Sequence, residues 1–405
     1  MKNVVIVGAG LAGYTVANQL RELGFPGCIT IHGDEGILPY DRPPLSKRYL
    51  AGTGTAPALL FRPEEYYQAR GINVQCNSPI LEIDRSRRRV RFTDGEAPYD
   101  ALVLATGAEP CVLPSEMTRG LSGVLTLRSL ADADAISKLF DSVQSVAVIG
   151  GGYIGLEVAA TAAERGMQVT VIEAAPRILQ RVASEPTANY IRALHRSHGV
   201  VIYEGVRPTR FTGIDTISGV ILSDGKEISA DCVIVGVGIV PRTNLAKAAG
   251  LEVANGIVTN SMCRTQDCQI WAVGDCASFP MNGRQVRLEN VGNAIEMAEC
   301  VARNIMGARQ EYIAHPWFWS DQYNTRLQIA GLVHERDSMV ARRSGSNDAL
   351  SHWYFAGERL VAADVINDPK TYMIAKRLID SGCAPAPEVI ADVRTNLKAL
   401  LKGPK

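Results

Sequence analysis

The chain has 405 residues and a mass of 43.7 kDa, the length of two to three domains at roughly 150 residues each. Hydrophobic residues make up 46% and charged residues 21%, which excludes a disordered or fibrous protein. Lys plus Arg and Asp plus Glu both number 42, and this zero net charge argues against nucleic acid or an anionic membrane as the main partner.

Lys2 and Asn3 lead directly into Val4 to Val7, leaving no room for a signal peptide. The uncharged stretch Ser142 to Leu156 is too short and glycine-rich to span a bilayer. A cytoplasmic protein is expected. Val4 to Val7 are four consecutive apolar residues, as a parallel strand buried on both faces requires. They run into a GxGxxG string, Gly8, Gly10 and Gly13, and then into helical spacing of small and apolar residues.

Residues 4–17 read VVIVGAGLAGYTVA, and residues 146–159 repeat the pattern as VAVIGGGYIGLEVA, with Gly150, Gly152 and Gly155. The first glycine permits the turn, and the second lets backbone approach a pyrophosphate. The third lets the helix pack on the strand with its N-terminus aimed at the phosphates. One such string is weak evidence. Two, each followed by a strand with an acidic end, predict two dinucleotide sites, a flavin in the first and a nicotinamide in the second.

After the first copy, the run Ile29 to His32 places Gly33 at the expected acidic position, so Asp34 or Glu35 takes the ribose role. Residues 84–91, DRSRRRVR, suit a solvated hairpin better than a nucleic-acid patch, since a strand splits their arginines between two faces. A buried strand follows from Ala101, ending in the small-residue turn Ala105-Thr106-Gly107. After the second copy, the strand from Val169 ends at Glu173, 18 residues beyond Gly155. Glu173 is placed to bind both adenosine ribose hydroxyls and to repel a 2′-phosphate, which favours NADH; Arg177 is the residue that argues the other way.

The run Asp231 to Gly238 repeats the strand-and-turn logic, including Gly236. Thr265 to Asp275 reads as one more strand, with Gly274 and Asp275 at a ribityl or pyrophosphate position. From about Trp317, alternation over Leu327–Val333, Val340–Arg342 and His352–Phe355, then a helix near 370–381, predicts an α+β domain. The fold class is α/β, with two Rossmann-like dinucleotide-binding domains of the glutathione-reductase-like kind plus this C-terminal domain. The expected boundaries are 1–110 with 241–315 for FAD, 111–240 for NAD, and 316–405 for the last.

Nine scattered cysteines, with no CxxC pair and no cluster spacing, point to buried thiols in a reducing compartment and no resident iron–sulfur cluster. Cys263 and Cys268 have CxxxxC spacing far from the first glycine string, where a redox disulfide would belong, and are read as buried small hydrophobes. No histidine has metal-ligand spacing, so no metal is expected; His195 and His198 are assigned to a helix surface.

The strings Pro39-Tyr-Asp-Arg-Pro-Pro-Leu-Ser-Lys47, Thr126-Leu-Arg128, GGGYIGLE at 150–157, AVGD at 272–275 and Pro316-Trp-Phe-Trp-Ser-Asp-Gln322 together resemble the two-dinucleotide-binding-domain flavoproteins. More narrowly they resemble the oxygenase-coupled NADH-dependent ferredoxin reductases, over essentially the whole chain. The resemblance implies that Ala12, Asp34, Lys47, Ile80, Arg128, Asp275 and Val291 contact FAD. It implies that Ile154, Glu157, Glu173 and Gly236 contact NAD, and that Trp319 lies near the flavin ring.

A reduced flavin gains negative charge, which a fixed cation such as Lys47 stabilises, and Lys47 is expected to meet Glu157 across the nicotinamide pocket. Lys47, Glu157 and Trp319 are therefore the catalytic candidates.

The implied reaction is hydride transfer from NADH to FAD, then single-electron transfer to a separate [2Fe–2S] ferredoxin. That ferredoxin would serve a ring-hydroxylating oxygenase or a cytochrome P450. Its docking surface would be basic, with Arg303, Arg309, Arg336, Arg342 and Arg343 as candidates. Monomer and homodimer stay open. The alternatives are an NADH-dependent reductase of monodehydroascorbate or a quinone, and a redox-sensing interaction protein like the apoptosis-inducing-factor relatives.

Overall fold

The computed structural model describes residues 1–333, 338–343, 349–383 and 385–401. These form two compact units. The first comprises Met1–Arg42, Ala56–Glu109 and Ile239–Pro316; the second comprises Pro43–Thr55, Pro110–Gly238 and the described residues from Trp317 onward.

In the first unit, the strand Asn3–Val7, which holds the apolar run from Val4, is the middle of a five-stranded parallel sheet. Its order is Ile270–Ala272, Ala101–Leu104, Asn3–Val7, Cys28–His32, Ile72–Gln75. Val4, Val5, Ile6 and Val7 are buried because helices cover the sheet, among them Leu11–Glu22 and Val291–Ile305. The arginine-rich segment is a hairpin, Ile80–Asp84 against Arg89–Phe92. Carboxylates neutralise it: Arg85 reaches Asp267 at 2.8 Å, Arg89 reaches Glu96 at 2.9 Å and Arg91 reaches Glu82 at 2.5 Å.

The second unit repeats the plan. Its parallel sheet runs Val201–Glu204, Gln168–Glu173, Ser145–Ile149, Cys232–Val235, Val124–Thr126. A five-stranded antiparallel sheet belongs to the same unit, in the order Trp317–Gln322, Thr325–Gly331, Arg359–Ile366, Leu350–Ala356, Ser338–Arg343, covered by helix Pro369–Asp380. Leu327, Ile329 and Ile366 of this sheet join the core built around Val146, Val148 and Leu156.

Four expectations are corrected. The strand read from Thr265 begins only at Ile270, because the Thr265 hydroxyl donates to the Asp267 and Ile270 carbonyls and closes a turn there. His195 is fully buried rather than on the helix surface; with Thr187 and Ile191 it forms the inward i, i+4, i+8 stripe of helix Glu185–Ser197, while His198 caps that helix in solvent. Cys263 is buried as expected, but Cys268 is exposed in the turn before Ile270. Arg342 is no docking residue: its buried guanidinium donates to the carbonyls of Ile390, Asp392, Val393 and Thr395. Arg336 lies outside the described residues.

Candidate functional site

Each unit carries a candidate site at the C-terminal end of its central strand. In the first, a Cβ on Gly8 would lie 2.1 Å from the Ala105 carbonyl oxygen, and one on Gly13 2.1 Å from the Gly8 carbonyl oxygen. These glycines let strand, turn and helix close on one another. Gly10 differs, since nothing lies within 4 Å of its Cβ position. It is the N-cap of helix Leu11–Glu22, which has no side-chain cap and no acidic residue in its first turn. Open space in front of uncapped N–H groups is where a pyrophosphate fits.

The other predicted residues of this unit gather there in part. A Cβ on Gly274 would stand 3.2 Å from Ala12, so the Gly274-Asp275 turn abuts the same helix, and it would stand 3.7 Å from Ala294 in the helix that Val291 opens. The Thr106 hydroxyl donates to the Arg242 carbonyl, and the Arg242 N–H donates to Gly107. Arg242 also pairs with Asp34 at 2.8 Å. Glu35 is engaged elsewhere, by the Tyr40 hydroxyl at 2.6 Å and by Arg42. Ile80 opens the hairpin and packs on this unit's core. Arg42 and Arg242 were not found by sequence reasoning, although Arg42 lies inside the string Pro39 to Lys47.

The second unit reproduces the loop. A Cβ on Gly150 would meet the Gly236 carbonyl oxygen at 2.3 Å, one on Gly155 would meet the Gly150 oxygen at 2.2 Å, and Gly152 again faces nothing within 4 Å. Helix Tyr153–Glu164 starts there without a side-chain cap, with Ile154 exposed in its first turn. Glu173 ends the adjacent strand, and its carboxylate accepts the Gly151 and Ala175 N–H groups at 2.6 and 2.7 Å. The Arg177 guanidinium donates to the carbonyls of Ile178, Gln180 and Ala183. Arg128 precedes the capping box of helix Leu130–Phe140, its N–H on Asp132.

Glu157, two residues beyond Gly155, is 2% exposed, and so unlike a solvated helix residue. Lys47 Nζ lies 2.8 Å from its Oε2, Ser46 Oγ donates to the same oxygen at 2.5 Å, and Ser320 Oγ donates to Oε1 at 2.6 Å. Three donors, one of them a cation, compensate a carboxylate removed from water. The Pro43–Ser46 turn presents Lys47, whose ammonium also donates to the Pro43 carbonyl. Ser46 and Ser320 were missed by sequence reasoning although both lie inside the strings singled out. Trp319 precedes Ser320 on strand Trp317–Gln322 and stacks on Trp317 with centroids 5.6 Å apart.

Residues 2–298 match the family described as pyridine nucleotide-disulphide oxidoreductase, and residues 317–401 match the one described as reductase C-terminal. The chain is 41% identical over 411 residues to putidaredoxin reductase of Pseudomonas putida, covering 100% of this chain and 97% of that one. It is 40% identical over 406 residues to rhodocoxin reductase of Rhodococcus erythropolis, covering 98% and 93%. The chain belongs to the pyridine nucleotide-disulphide oxidoreductase family, among its ferredoxin reductases. The reductase superposes on putidaredoxin reductase, as solved in a covalent complex with putidaredoxin, with a TM-score of 0.94 at 40% identity over 99% of this chain and 98% of that one. For the ferredoxin reductase for the CYP199A2 system from Rhodopseudomonas palustris the TM-score is 0.96 at 38% identity, covering 98% and 99%. FAD and NADH are the cofactors of these reductases, and the two open, uncapped helix N-termini beside Gly10 and Gly152 fit them. Among the described residues no helix is long and apolar enough to cross a membrane.

Proposed function

We propose that this reductase carries electrons from NADH through FAD, one at a time, to a [2Fe–2S] ferredoxin that supplies a ring-hydroxylating oxygenase or a cytochrome P450 in aromatic hydrocarbon catabolism. The observation that carries the reading is the match, along the full chain, to a reductase whose solved complex holds its own redox partner. The nine free thiols suit a reducing cytoplasm and supply no cysteine pair beside the first glycine loop. FAD, when bound, supplies the conversion of a two-electron donor into single-electron output.

The chain's residues do the positioning. Gly8, Gly10, Ala12 and Gly13, with Ala105, Thr106, Gly107, Gly274, Asp275 and Val291, are assigned to FAD. The first helix N-terminus would take the pyrophosphate and Asp34 the ribose, since Arg242 ties Asp34 to the Gly107 turn. Ile80 and Arg128 complete the FAD set on the resemblance alone. Gly150, Gly152, Ile154, Gly155, Glu173 and Gly236 are assigned to NADH. Glu173, already accepting two N–H groups, suits two ribose hydroxyls and repels a 2′-phosphate. Glu157 holds Lys47 as a fixed cation, which would stabilise the negative charge that a reduced flavin gains, and the resemblance alone assigns Trp319 to the flavin ring.

Reconstitution with a [2Fe–2S] ferredoxin, read by cytochrome c reduction, tests the assignment. NADH should bleach the flavin within the turnover time, and turnover with ferredoxin should exceed that with a quinone, monodehydroascorbate or rubredoxin. A flavin that stays oxidised on mixing, or faster turnover with one of the other acceptors, overturns it. A rubredoxin arm is warranted because rubredoxin-NAD(+) reductase of Pseudomonas putida is 40% identical over 372 residues.

A further inference from the structure

Behind the Lys47–Glu157 pair, the second unit contains a line of polar side chains with no part in the reaction as described so far. Ser320, Gln322 and His195 are 1%, 2% and 0% exposed, among apolar neighbours where ordinary aliphatic packing would serve stability as well. Ser320 Oγ is 2.6 Å from Glu157 Oε1, and Gln322 Nε2 is 3.0 Å from Ser320 Oγ. His195 Nε2 is 2.8 Å from Gln322 Oε1, and the Tyr323 hydroxyl is 3.2 Å from His195 Nδ1. Tyr323 is half-buried and stacks on exposed His198, so the line runs from the pair to the edge of solvent.

One charge sets the direction of every bond in it. An ionised carboxylate only accepts, so Ser320 must spend its single proton on Glu157. The Ser320 oxygen then accepts, which turns the amino group of Gln322 towards it and the Gln322 carbonyl towards His195. That carbonyl accepts from Nε2–H, which leaves Nδ1 of a neutral imidazole to accept from Tyr323. Burial keeps His195 neutral, lowering its pKa to about 4. All four donors point at Glu157, and dipoles aligned in series reinforce one another.

We propose that Gln322 and His195 are positioning residues for the Lys47–Glu157 pair: they hold the Ser320 hydroxyl on Glu157, and thereby fix the carboxylate that carries Lys47. The proposal rests on the assignment of Lys47 and Glu157 to the hydride-transfer chemistry. Its physical content is that a change at Glu157 reverses the line as far as His195.

The FAD-loaded enzyme with 15N-labelled histidine tests this by imidazole NMR. In the native enzyme His195 carries its proton on Nε2. In Glu157→Gln, Lys47 and Ser46 keep the amide carbonyl, so the amide N–H faces Ser320. The serine then donates to Gln322, whose amino group turns to His195, and the imidazole proton moves to Nδ1. The same tautomer in both proteins overturns the proposal.

Kinetics provide a second arm. Gln322→Leu, or Gln322→Met if the first fails to fold, should lower the rate of flavin reduction by NADH roughly tenfold with KM for NADH within about twofold. In the Glu157→Gln background it should add less than about twofold, because the group it acts through is gone. A full tenfold effect in both backgrounds sinks the inference and leaves the assignment of the pair standing. Unchanged flavin reduction in Glu157→Gln alone sinks that assignment, and the inference with it.

Discussion

Lys47 and Glu157 stand 110 residues apart in the chain and 2.8 Å apart in space, the lysine side chain 18% exposed and the glutamate 1%. The asymmetry decides which partner is harder to lose. Lys47→Met strands a buried carboxylate with two hydroxyl donors and should cost about 3 kcal/mol, the low end for breaking a buried pair. Glu157→Gln leaves an ammonium that reaches water, and should cost about 1.5 kcal/mol. Urea unfolding at fixed FAD concentration measures both. The reverse order would show that the carboxylate is not the group in need of its partner.

Gly155 and Gly152 sit three residues apart in one loop and should respond oppositely to the same methyl group. At Gly155 the added carbon would lie 2.2 Å from a backbone oxygen that cannot retreat, so Gly155→Ala should lose about 3 kcal/mol or fail to fold. At Gly152 there is open space. Gly152→Ala should melt within about 0.5 kcal/mol of the native enzyme while its KM for NADH rises roughly tenfold, the methyl standing where the pyrophosphate approaches. Unchanged NADH affinity in Gly152→Ala would move the coenzyme elsewhere.

Coenzyme choice should follow Glu173 and ignore Arg177. Replacing Glu173 by alanine removes the charge that repels a 2′-phosphate, and the ratio of kcat/KM for NADH over NADPH should fall at least roughly tenfold. Arg177→Ala should leave that ratio within about twofold and lower thermal stability instead, because the guanidinium holds the carbonyls of Ile178, Gln180 and Ala183. A ratio that moves with Arg177 would reverse the assignment.

Acid should destabilise the protein through His195. Burial lowers its pKa to about 4, against about 6.5 in an unfolded chain, so the unfolded state binds more protons between those values. Its contribution is complete above pH 6.5 and is lost as pH falls towards 4, by about 3 kcal/mol in all. His352 is lowered to about 4 in the same way, but it shares Thr187 with Asp364, whose carboxyl burial pushes up and which acidification therefore relieves. His195→Gln should thus flatten the fall in stability between pH 6.5 and 4.5 seen by chemical unfolding. An unchanged slope would place the acid-sensitive group elsewhere.

Both glycine loops, the strands that enter them and the acid at Glu173 were legible in the amino-acid order, because turn geometry, strand burial and helix spacing are settled by near neighbours. Lys47 and Glu157 were candidates through the family resemblance of the strings that hold them. The role of Arg342 was not legible there. Nothing local to Arg342 announces that it clamps four carbonyls some 50 residues onward, just as nothing local to the Thr265 segment outweighs its strand-like composition until the hydroxyl closes the turn.

Sequence alone determined the two glycine loops and the close approach of strand and helix at each, since the glycines that permit it act within their own loop. Only the tertiary structure decided what surrounds Glu157. Ser46, Ser320, Gln322 and His195 come from three separated stretches, and a buried carboxylate takes its donors from whatever the folded chain brings within reach.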